Sequence, residues 1–362
     1  MKKMILGLMA ILLLISPILS LSRSHTVQAA AMNFSVETIL PDNQQDKDQS
    51  YFDLKVAPSQ KQTLTLQLYN DTNKDVTVIS NVHTAVTNLN GVVEYGGSKS
   101  QPDQSIPAKM EDILKLQEKE VVVPKQGTAQ VRLDLTMPEQ SFDGILVGGI
   151  SLQEKEKNEA NEETDSEGLS IENLYAYNVA VVLQETDIAI DPNLKMTEVE
   201  PAQINARNVI NATLVNPEAR FLNQLSVDTK ITKKGEKEAL YKSSKKGMQM
   251  APNSTFAYPT ALDGKEFEPG IYTMDLTAKS SGKTWHFTQD FEIKRDVAKA
   301  YNDQDVTVES DHTWLYFLIG GLILLVLILM LIWWIRRKMK KKEAEHNQLK
   351  AELEALKETK QD

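Results

Sequence analysis

Two short segments have residue types that could bind a phosphate group or a calcium ion. Gly282-Lys283-Thr284 resembles the end of a phosphate-binding loop, but Thr277 stands where that loop needs its first glycine. Residues 71–75, DTNKD, begin like a calcium-binding loop. Val76 occupies the position of that loop's glycine and Val82 that of its last carboxylate, so this pattern also fails.

Residues for catalysis or metal binding are equally sparse. The histidines between residues 32 and 313 are His83, His286 and His312, which are widely separated and form no zinc-binding pair. The chain has no cysteine and no Gly-x-Ser-x-Gly segment, so thiol chemistry and a nucleophile elbow are excluded. We therefore expect a non-enzymatic protein without catalytic, metal-binding or cofactor-binding residues, and without a cofactor.

The first 31 residues have the features of a secretory signal peptide. Two lysines precede the apolar run from Met4 to Leu21, and small residues follow at Ala29 to Ala31. The run is also long enough for an uncleaved membrane anchor, which is the alternative. The small residues favour cleavage, and thus export of the remainder.

A second hydrophobic segment, residues 314–335, has no charged residue and is long enough to span a bilayer. Tryptophans lie near both of its ends, as in interfacial aromatic belts. Six lysines and arginines follow between Arg336 and Lys342, which predicts that this flank is cytoplasmic. We expect a single-pass protein of the cell membrane, with its N-terminal region extracellular and a basic cytoplasmic tail over residues 336–362.

The predicted exterior is strongly acidic. The whole chain carries a net charge of −10, and removing +3 for residues 1–31 and +3 for residues 336–362 leaves −16. Such a charge argues against nucleic acid as a partner. About 280 exterior residues suffice for two ordinary domains, which must be stable without disulfides.

Strict alternation of apolar and polar residues dominates this exterior. It occurs at Leu64, Leu66 and Leu68, at residues 131–137 and at residues 272–276, with turn-forming clusters between the runs. This pattern predicts an all-β protein with two tandem immunoglobulin-like β-sandwich domains outside the cell, followed by a single transmembrane helix.

The chain divides near Asp191-Pro192, which places the domains at residues 32–190 and 191–296. A polar stalk is expected at residues 297–313. The acidic segment Glu154 to Glu167 interrupts the first domain. Its charge and low hydrophobicity predict a solvated loop in preference to a metal site.

Six ordered segments carry a resemblance to a known family. They are AMNFSVETILPDNQ, YFDLKVAPSQKQTLTLQLYN, MPEQSFDGILVGGI, NARNVINATLVNP, MQMAPNSTFAYP and GKTWHFTQDFEIK. Together they resemble the WxL-interacting proteins of Gram-positive bacteria, over nearly the whole exterior. The chain has no Trp-x-Leu of its own, since Trp285 is followed by His286 and Phe287, and Trp314 by Leu315 and Tyr316.

The resemblance implies two modules and a non-enzymatic role. The first module would bind peptidoglycan, and the second would hold secreted surface proteins that carry the WxL domain and meet host surface proteins. The chain would then be a membrane-anchored adaptor. A different interpretation is an adhesin for host extracellular matrix, and a third, disfavoured by the missing catalytic residues, is a cell-wall-processing enzyme.

The segment KKGMQMAPNSTFAYP, residues 245–259, is a candidate for partner binding. Met248 and Met250 fall on one side of an extended chain, as do Phe256 and Tyr258, and methionine suits surfaces that accept several partners. These four residues are the predicted partner-binding residues. The alternative, that they are core residues of the second domain, is the commoner role for any single one of them.

No residue is assigned to peptidoglycan binding from the sequence. Exposed aromatic rings often bind polysaccharides, and Tyr51, Tyr69, Tyr95 and Tyr175 qualify by residue type alone. Each is equally suited to the core or the corner of a sandwich.

Overall fold

The computed structural model describes residues 32–155, 175–308 and 313–358, which form two β-sandwiches followed by helices. The predicted signal peptide lies outside the described residues. So does the predicted acidic loop after its first two residues, Glu154 and Lys155.

The first sandwich consists of a four-stranded sheet, in the order β1-β3-β9-β7, and a five-stranded sheet, in the order β2-β11-β10-β4-β8. The pair β5 and β6 forms a separate small hairpin. In chain order the elements are β1 Ser35–Ile39, β2 Phe52–Lys55, β3 Lys61–Asn70, β4 Val76–Thr84, β5 Val86–Thr87, β6 Val93–Glu94, the one-turn helix α1 Met110–Ile113, β7 Leu114–Leu116, β8 Glu120–Val123, β9 Gly127–Thr136, β10 Ile145–Glu154 and β11 Ala176–Gln184.

The core of this first unit follows from the period-two pattern. On β3, Leu64, Leu66 and Leu68 are buried, while the residues between them are only half-buried. They pair with the similarly alternating strand β9 and pack against apolar residues of the other sheet, such as Ile150 and Leu183. One face of each sheet therefore supplies the core.

The second sandwich has seven strands. A three-stranded sheet in the order β12-β13-β16 faces a four-stranded sheet in the order β15-β14-β17-β18. The strands are β12 Lys195–Ile204, β13 Arg207–Asn216, β14 Leu222–Lys233, β15 Tyr241–Met250, β16 Ser254–Ala261, β17 Gly270–Ser280 and β18 Lys283–Ile293.

Each sandwich has its own hydrophobic core. The first core ends along the chain with Leu183 and the second begins with Leu194, and the predicted division at Asp191-Pro192 falls between these two residues. The alternating residues Tyr272, Met274 and Leu276 of β17 all face the second core. The all-β, tandem immunoglobulin-like fold predicted from the sequence is confirmed.

The structure differs from the predicted stalk at residues 297–313. The helix α2, Arg295–Asn302, packs against the second sandwich and buries Ala298. The Asn302 side chain donates a hydrogen bond to Phe267 O and accepts one from Phe267 N, at 3.0 and 2.8 Å. The segment is polar in composition, yet Ala298, Tyr301 and the Asn302 side chain all have partners on the domain.

Beyond α2, Asp305 fixes the chain to the turn between β12 and β13. Its carboxylate accepts hydrogen bonds from Asn208 N at 2.6 Å, and from the backbone N–H and hydroxyl of Thr307 at 2.7 and 2.6 Å. Val306 N donates to Ala206 O at 3.0 Å. We call residues 303–308 the clasp, because they hold the end of the second unit to its own first hairpin.

The last helix, α3, spans Thr313–Glu358. It contains the segment Leu315–Ala344, which by length and composition could cross a membrane. Arg337 and Lys338 lie over the rings of Trp333 and Trp334, at 5.2 and 4.7 Å from the centroids. The aromatic end and the basic cluster predicted from the sequence are thus adjacent on one helix.

We expect the clasp to depend on the ionised form of Asp305. Burial raises the pKa of this carboxyl, but the hydrogen bonds from Thr307 and Asn208 outweigh burial, and the pKa lies below its ordinary value of 3.8. A carboxyl with a lowered folded-state pKa stabilises the fold above its unfolded pKa, and this contribution is lost as the pH falls through the folded-state pKa. Asp305→Ala should lower the free energy of unfolding by about 1–3 kcal/mol at neutral pH.

The difference between wild type and Asp305→Ala should shrink as the pH falls below that ordinary value. Urea denaturation of both proteins over a range of pH measures it. Asp303→Ala is the control, because the Asp303 side chain is exposed and bonds only Lys299 in the described structure. A pH-independent difference would contradict the proposed role of the charge.

Candidate functional site

The four predicted partner-binding residues lie in the core of the second unit. Met248, Met250, Phe256 and Tyr258 are 3 %, 0 %, 1 % and 1 % exposed. Each pair does share one side of its strand, as predicted, but that side faces inward. Their placement matches the core interpretation, and partner binding by these side chains stays a prediction.

The short turn between those pairs contacts the first unit. Ala251 N donates a hydrogen bond to Thr87 Oγ1 at 3.0 Å, and the Thr87 and Ser254 hydroxyls lie 2.7 Å apart. Both hydroxyls are buried. Gln249 N donates to Gly91 O at 2.8 Å, which adds a backbone contact at the tip of the β5–β6 hairpin.

Asn253 makes the second half of this contact. Its backbone has a φ of 46°, in the left-handed region that asparagine tolerates better than most residues. Its carbonyl accepts a hydrogen bond from Asp103 N at 2.7 Å, and its amide donates to Ser105 Oγ at 2.9 Å. The side chain also donates to Pro217 O, which ties the turn to its own unit.

A third hydrophobic cluster lies between the two sandwiches. Its buried members are Ala85, Val93 and Val147 of the first unit and Ala251 of the second, with Tyr95, Ile145, Val182 and Phe221 packed around them. We call this cluster and the hydrogen bonds of residues 249–254 the joint. The methionine-rich segment therefore packs one sandwich internally and connects it to the other.

A strap over residues 95–109 crosses one face of the five-stranded sheet of the first unit. It approaches so closely that a Cβ at Gly149 would lie 2.5 Å from Tyr95 O, and a Cβ at Gly97 would lie 2.8 Å from the His83 ring. Only glycine leaves room for such an approach. The glycine pairs in LVGGI and EYGGS mark where the strap meets the sheet.

Between the strap and the edge of this sheet lies a cavity of about 410 Å³, which we call the strap cavity. Its charged and titratable lining residues are His83, Lys109 and Glu111, and the strap adds Ser98, Ser100 and Gln101. His83 Nε2 lies 3.1 Å from Ser151 Oγ, which fixes the ring against the sheet.

Glu111 is positioned by Thr84 at the end of β4. Its carboxylate accepts a hydrogen bond from Thr84 N at 2.8 Å and another from the Thr84 hydroxyl, which itself accepts from Met110 N. Burial raises the pKa of Glu111, but these hydrogen bonds and the nearby His83 outweigh it, so the pKa lies below its usual value. The carboxylate is therefore anionic at neutral pH.

The tyrosines considered from the sequence are dispersed. Tyr95 belongs to the joint, Tyr69 donates a hydrogen bond to Glu37, Tyr51 is half-buried, and Tyr175 is exposed at the start of the described residues before β11. None of them lines the strap cavity. Within the described ranges, no group of three or more histidine, aspartate or glutamate side chains could hold a metal ion.

The sheet edges of the second unit differ in how they are protected. Edge strands usually carry bulges, prolines or lysines that prevent further pairing. Strand β12 has a bulge and Pro201, β16 has Pro259, and β15 has irregular pairing with β14 and three lysines. Strand β18 pairs regularly with β17 along all eleven residues and has neither a bulge nor a proline.

Strand β18 also presents half-buried aromatic side chains. Trp285 and Phe287 are only partly covered by the second core, while His286 and Thr288 between and beside them are exposed. Among the described residues no strand pairs with the outer edge of β18. This edge offers free backbone groups beside apolar surface, the arrangement that strand addition uses.

Two family models match the chain. The model described as "WxL Interacting Protein, peptidoglycan binding domain" matches residues 34–154, and the one described as "WxL Interacting Protein, host binding domain" matches residues 166–303. The chain belongs to the WxL-interacting protein family, as its sequence segments indicated. It is a cell-surface binding protein with a peptidoglycan-binding and a host-binding domain.

The second match begins before the second sandwich does. It includes β11, which in the structure pairs with β10 and β2 of the first sandwich. One strand of the first unit is therefore contributed by the region matched as the host-binding domain.

Comparison with solved structures finds similarity at low identity, while no curated protein matches in sequence. The CsuC–CsuE chaperone–tip adhesion subunit complex of Acinetobacter baumannii is 13 % identical, with 71 % of this chain and 98 % of that chain covered and a TM-score of 0.32. The Escherichia coli chaperone DraB is 14 % identical, with 72 % and 95 % covered and a TM-score of 0.27. A PapD-like domain of human CEP192 is 11 % identical, with 47 % and 99 % covered and a TM-score of 0.26.

We expect Thr87→Val to weaken the joint. The substitution keeps the shape of the side chain but leaves Ala251 N without its acceptor and removes the hydroxyl that contacts Ser254, which then keeps only its hydrogen bond to Ala251 O. The loss costs about 1–3 kcal/mol of the free energy of unfolding. Urea denaturation measures this loss, and protease cleavage between residues 185 and 193 should become faster.

The matched control is Thr63→Val, since the exposed Thr63 hydroxyl donates only to exposed Asp134. Its cost should stay within about 0.5 kcal/mol. Equal costs for the two variants, with unchanged cleavage, would show that the joint adds no stability.

Proposed function

We propose that this protein is a membrane-anchored adaptor that binds peptidoglycan through its first unit and a secreted WxL-domain protein through its second. The observation that carries the proposal is the joint. The peptidoglycan-binding unit and the second unit share buried hydroxyls and a hydrophobic cluster. Their two ligands would therefore be held at a fixed distance and orientation. Such an arrangement suits a bridge between two ligands.

The proposed membrane anchor is the helix α3. Its apolar segment, the aromatic side chains beside Arg337 and Lys338, and the adjacent basic residues support a single span with both sandwiches outside the cell. The acidic binding units would then occupy the cell wall and the basic end the cytoplasm.

The outer edge of β18 is the proposed seat for the WxL partner. An extended segment of the partner would add a strand beside β18 and bury apolar side chains against Trp285 and Phe287. This seat replaces the buried methionines as the contact surface while keeping the predicted role for the second unit.

Binding of host extracellular matrix is a second candidate function. It is favoured by the description of the family model that matches residues 166–303 as a host-binding domain. The adhesin role does not exclude the adaptor role, since a single unit can have more than one ligand.

Cosedimentation tests the bridging function. The detergent-solubilised full chain should sediment with insoluble peptidoglycan and should raise the amount of a purified WxL-domain protein in the pellet above the amount that sediments with peptidoglycan in the absence of the chain. Failure of the chain to sediment would reject peptidoglycan binding. Sedimentation without the WxL protein would reject the adaptor role, and capture of fibrous host matrix instead would favour the adhesin.

Paired lysine substitutions test the β18 seat. His286→Lys with Thr288→Lys places charge on the exposed positions of the edge, where it opposes strand addition, and should weaken WxL-protein binding by at least about tenfold. The control is Thr197→Lys with Ser244→Lys, which adds the same charge to exposed positions of β12 and β15. Equal loss in both pairs would indicate a nonspecific charge effect and reject the seat.

A further inference from the structure

The strap cavity carries charges that lack partners. Neither Lys109 nor the Glu111 carboxylate takes part in an ion pair among the described residues, although both line the same cavity. Thr84 donates two hydrogen bonds to the carboxylate, which hold it in place without neutralising its charge. One fixed anion and one cation therefore face a single space large enough for part of a ligand.

The uncharged part of the lining includes hydrogen-bonding side chains beside Val86, Gly97 and Pro102. Ser98, Ser100 and Gln101 come from the strap, and the buried Thr84 comes from the sheet. The described residues that line the cavity include no phenylalanine, tyrosine or tryptophan on which the flat face of a sugar ring could stack. Hydroxyls and an amide match the N–H and C=O groups of a peptide, and this lining suits a peptide better than a glycan.

The walls of the cavity are held from two directions. His83 and Glu111 are fixed to the first sandwich through Ser151 and Thr84. The strap is fixed to the second sandwich, because Asp103 N donates to Asn253 O and Pro102 forms a bridge with Ser254. A site whose anionic group is held before the ligand arrives loses less entropy on binding.

We infer that the strap cavity binds a short peptide that carries both an ammonium and a carboxylate group. The ammonium would lie against Glu111 and the carboxylate against Lys109, with the strap side chains bonding the amides between them. The inference rests on the proposed function and deepens it, because the peptide chains of peptidoglycan have both charged groups whereas its glycan strands lack free ammonium groups.

Binding measurements on the detergent-solubilised full chain test the inference. The first probe is a synthetic pentapeptide with a free lysine ammonium and a D-alanyl-D-alanine carboxylate. The second is the same peptide with its amines acetylated and its carboxylates amidated, and the third is an oligomer of N-acetylglucosamine. The free pentapeptide should bind at least about tenfold more tightly than either of the others, since two charge-assisted contacts are at stake.

Charge-removing variants locate the site. Lys109→Gln and Glu111→Gln should each weaken binding of the free pentapeptide by at least about tenfold. Lys119→Gln and Glu118→Gln are exposed changes of the same kind in the same unit and should leave it unchanged. Thermal unfolding of each variant checks that the fold is retained. If the Glu111→Gln variant unfolds, the Lys109→Gln variant still tests the site, because Lys109 is exposed and its substitution should not disturb the fold.

Three outcomes would overturn the inference. They are equal binding of the blocked peptide, preferential binding of the N-acetylglucosamine oligomer, and pentapeptide binding that survives both cavity variants. Retention on insoluble peptidoglycan distinguishes this failure from failure of the proposed function. A chain that sediments with peptidoglycan but ignores the pentapeptide contradicts the cavity assignment alone, whereas a chain that does neither contradicts both.

Discussion

The need to satisfy buried polar groups where the two sandwiches meet constrains both units. Ala251 N and the Ser254 hydroxyl are shielded from water, and the hydroxyl of Thr87 on the other unit bonds both. Unpartnered buried groups destabilise a fold more than an average hydrogen bond stabilises it. Each unit therefore completes the other's hydrogen bonding, and the small cluster around Val93 and Phe221 excludes the water that could substitute. Relative movement of the two units would expose these groups together.

The fold was largely predictable because apolar and polar residues alternate so regularly along its strands. One face of β3, β9 and β17 is buried, and the sequence shows this as leucine, valine and methionine at every second position. The role of residues 248–258 could not be resolved in this way. A run of apolar residues on one side of a strand has the same appearance whether that side meets its own core or a partner, and only the pairing of β15 and β16 with their neighbours separates the two.

Two other features were hidden from sequence reasoning for different physical reasons. The segment after Ile293 is polar on average, but Ala298 and Tyr301 suffice to dock a short helix, and the carboxylate of Asp305 is paired with backbone groups that no composition reveals. The strap cavity is assembled from residues distant along the chain, so no local motif marks it. The glycine pairs at 96–97 and 148–149 were the available signal, since they indicate where two stretches of backbone approach closely.

Under the proposed function, with α3 anchored in a membrane and a ligand bound to the first unit, the clasp has a mechanical consequence. Strand β18 is the last strand before the helix that could cross a membrane, and tension applied directly to its end would unzip it from β17 one residue pair at a time. The hydrogen bonds of Asp305 and Val306 transfer that tension to the β12–β13 turn, on the opposite sheet. The end of β18 would then carry the load only after these hydrogen bonds had broken.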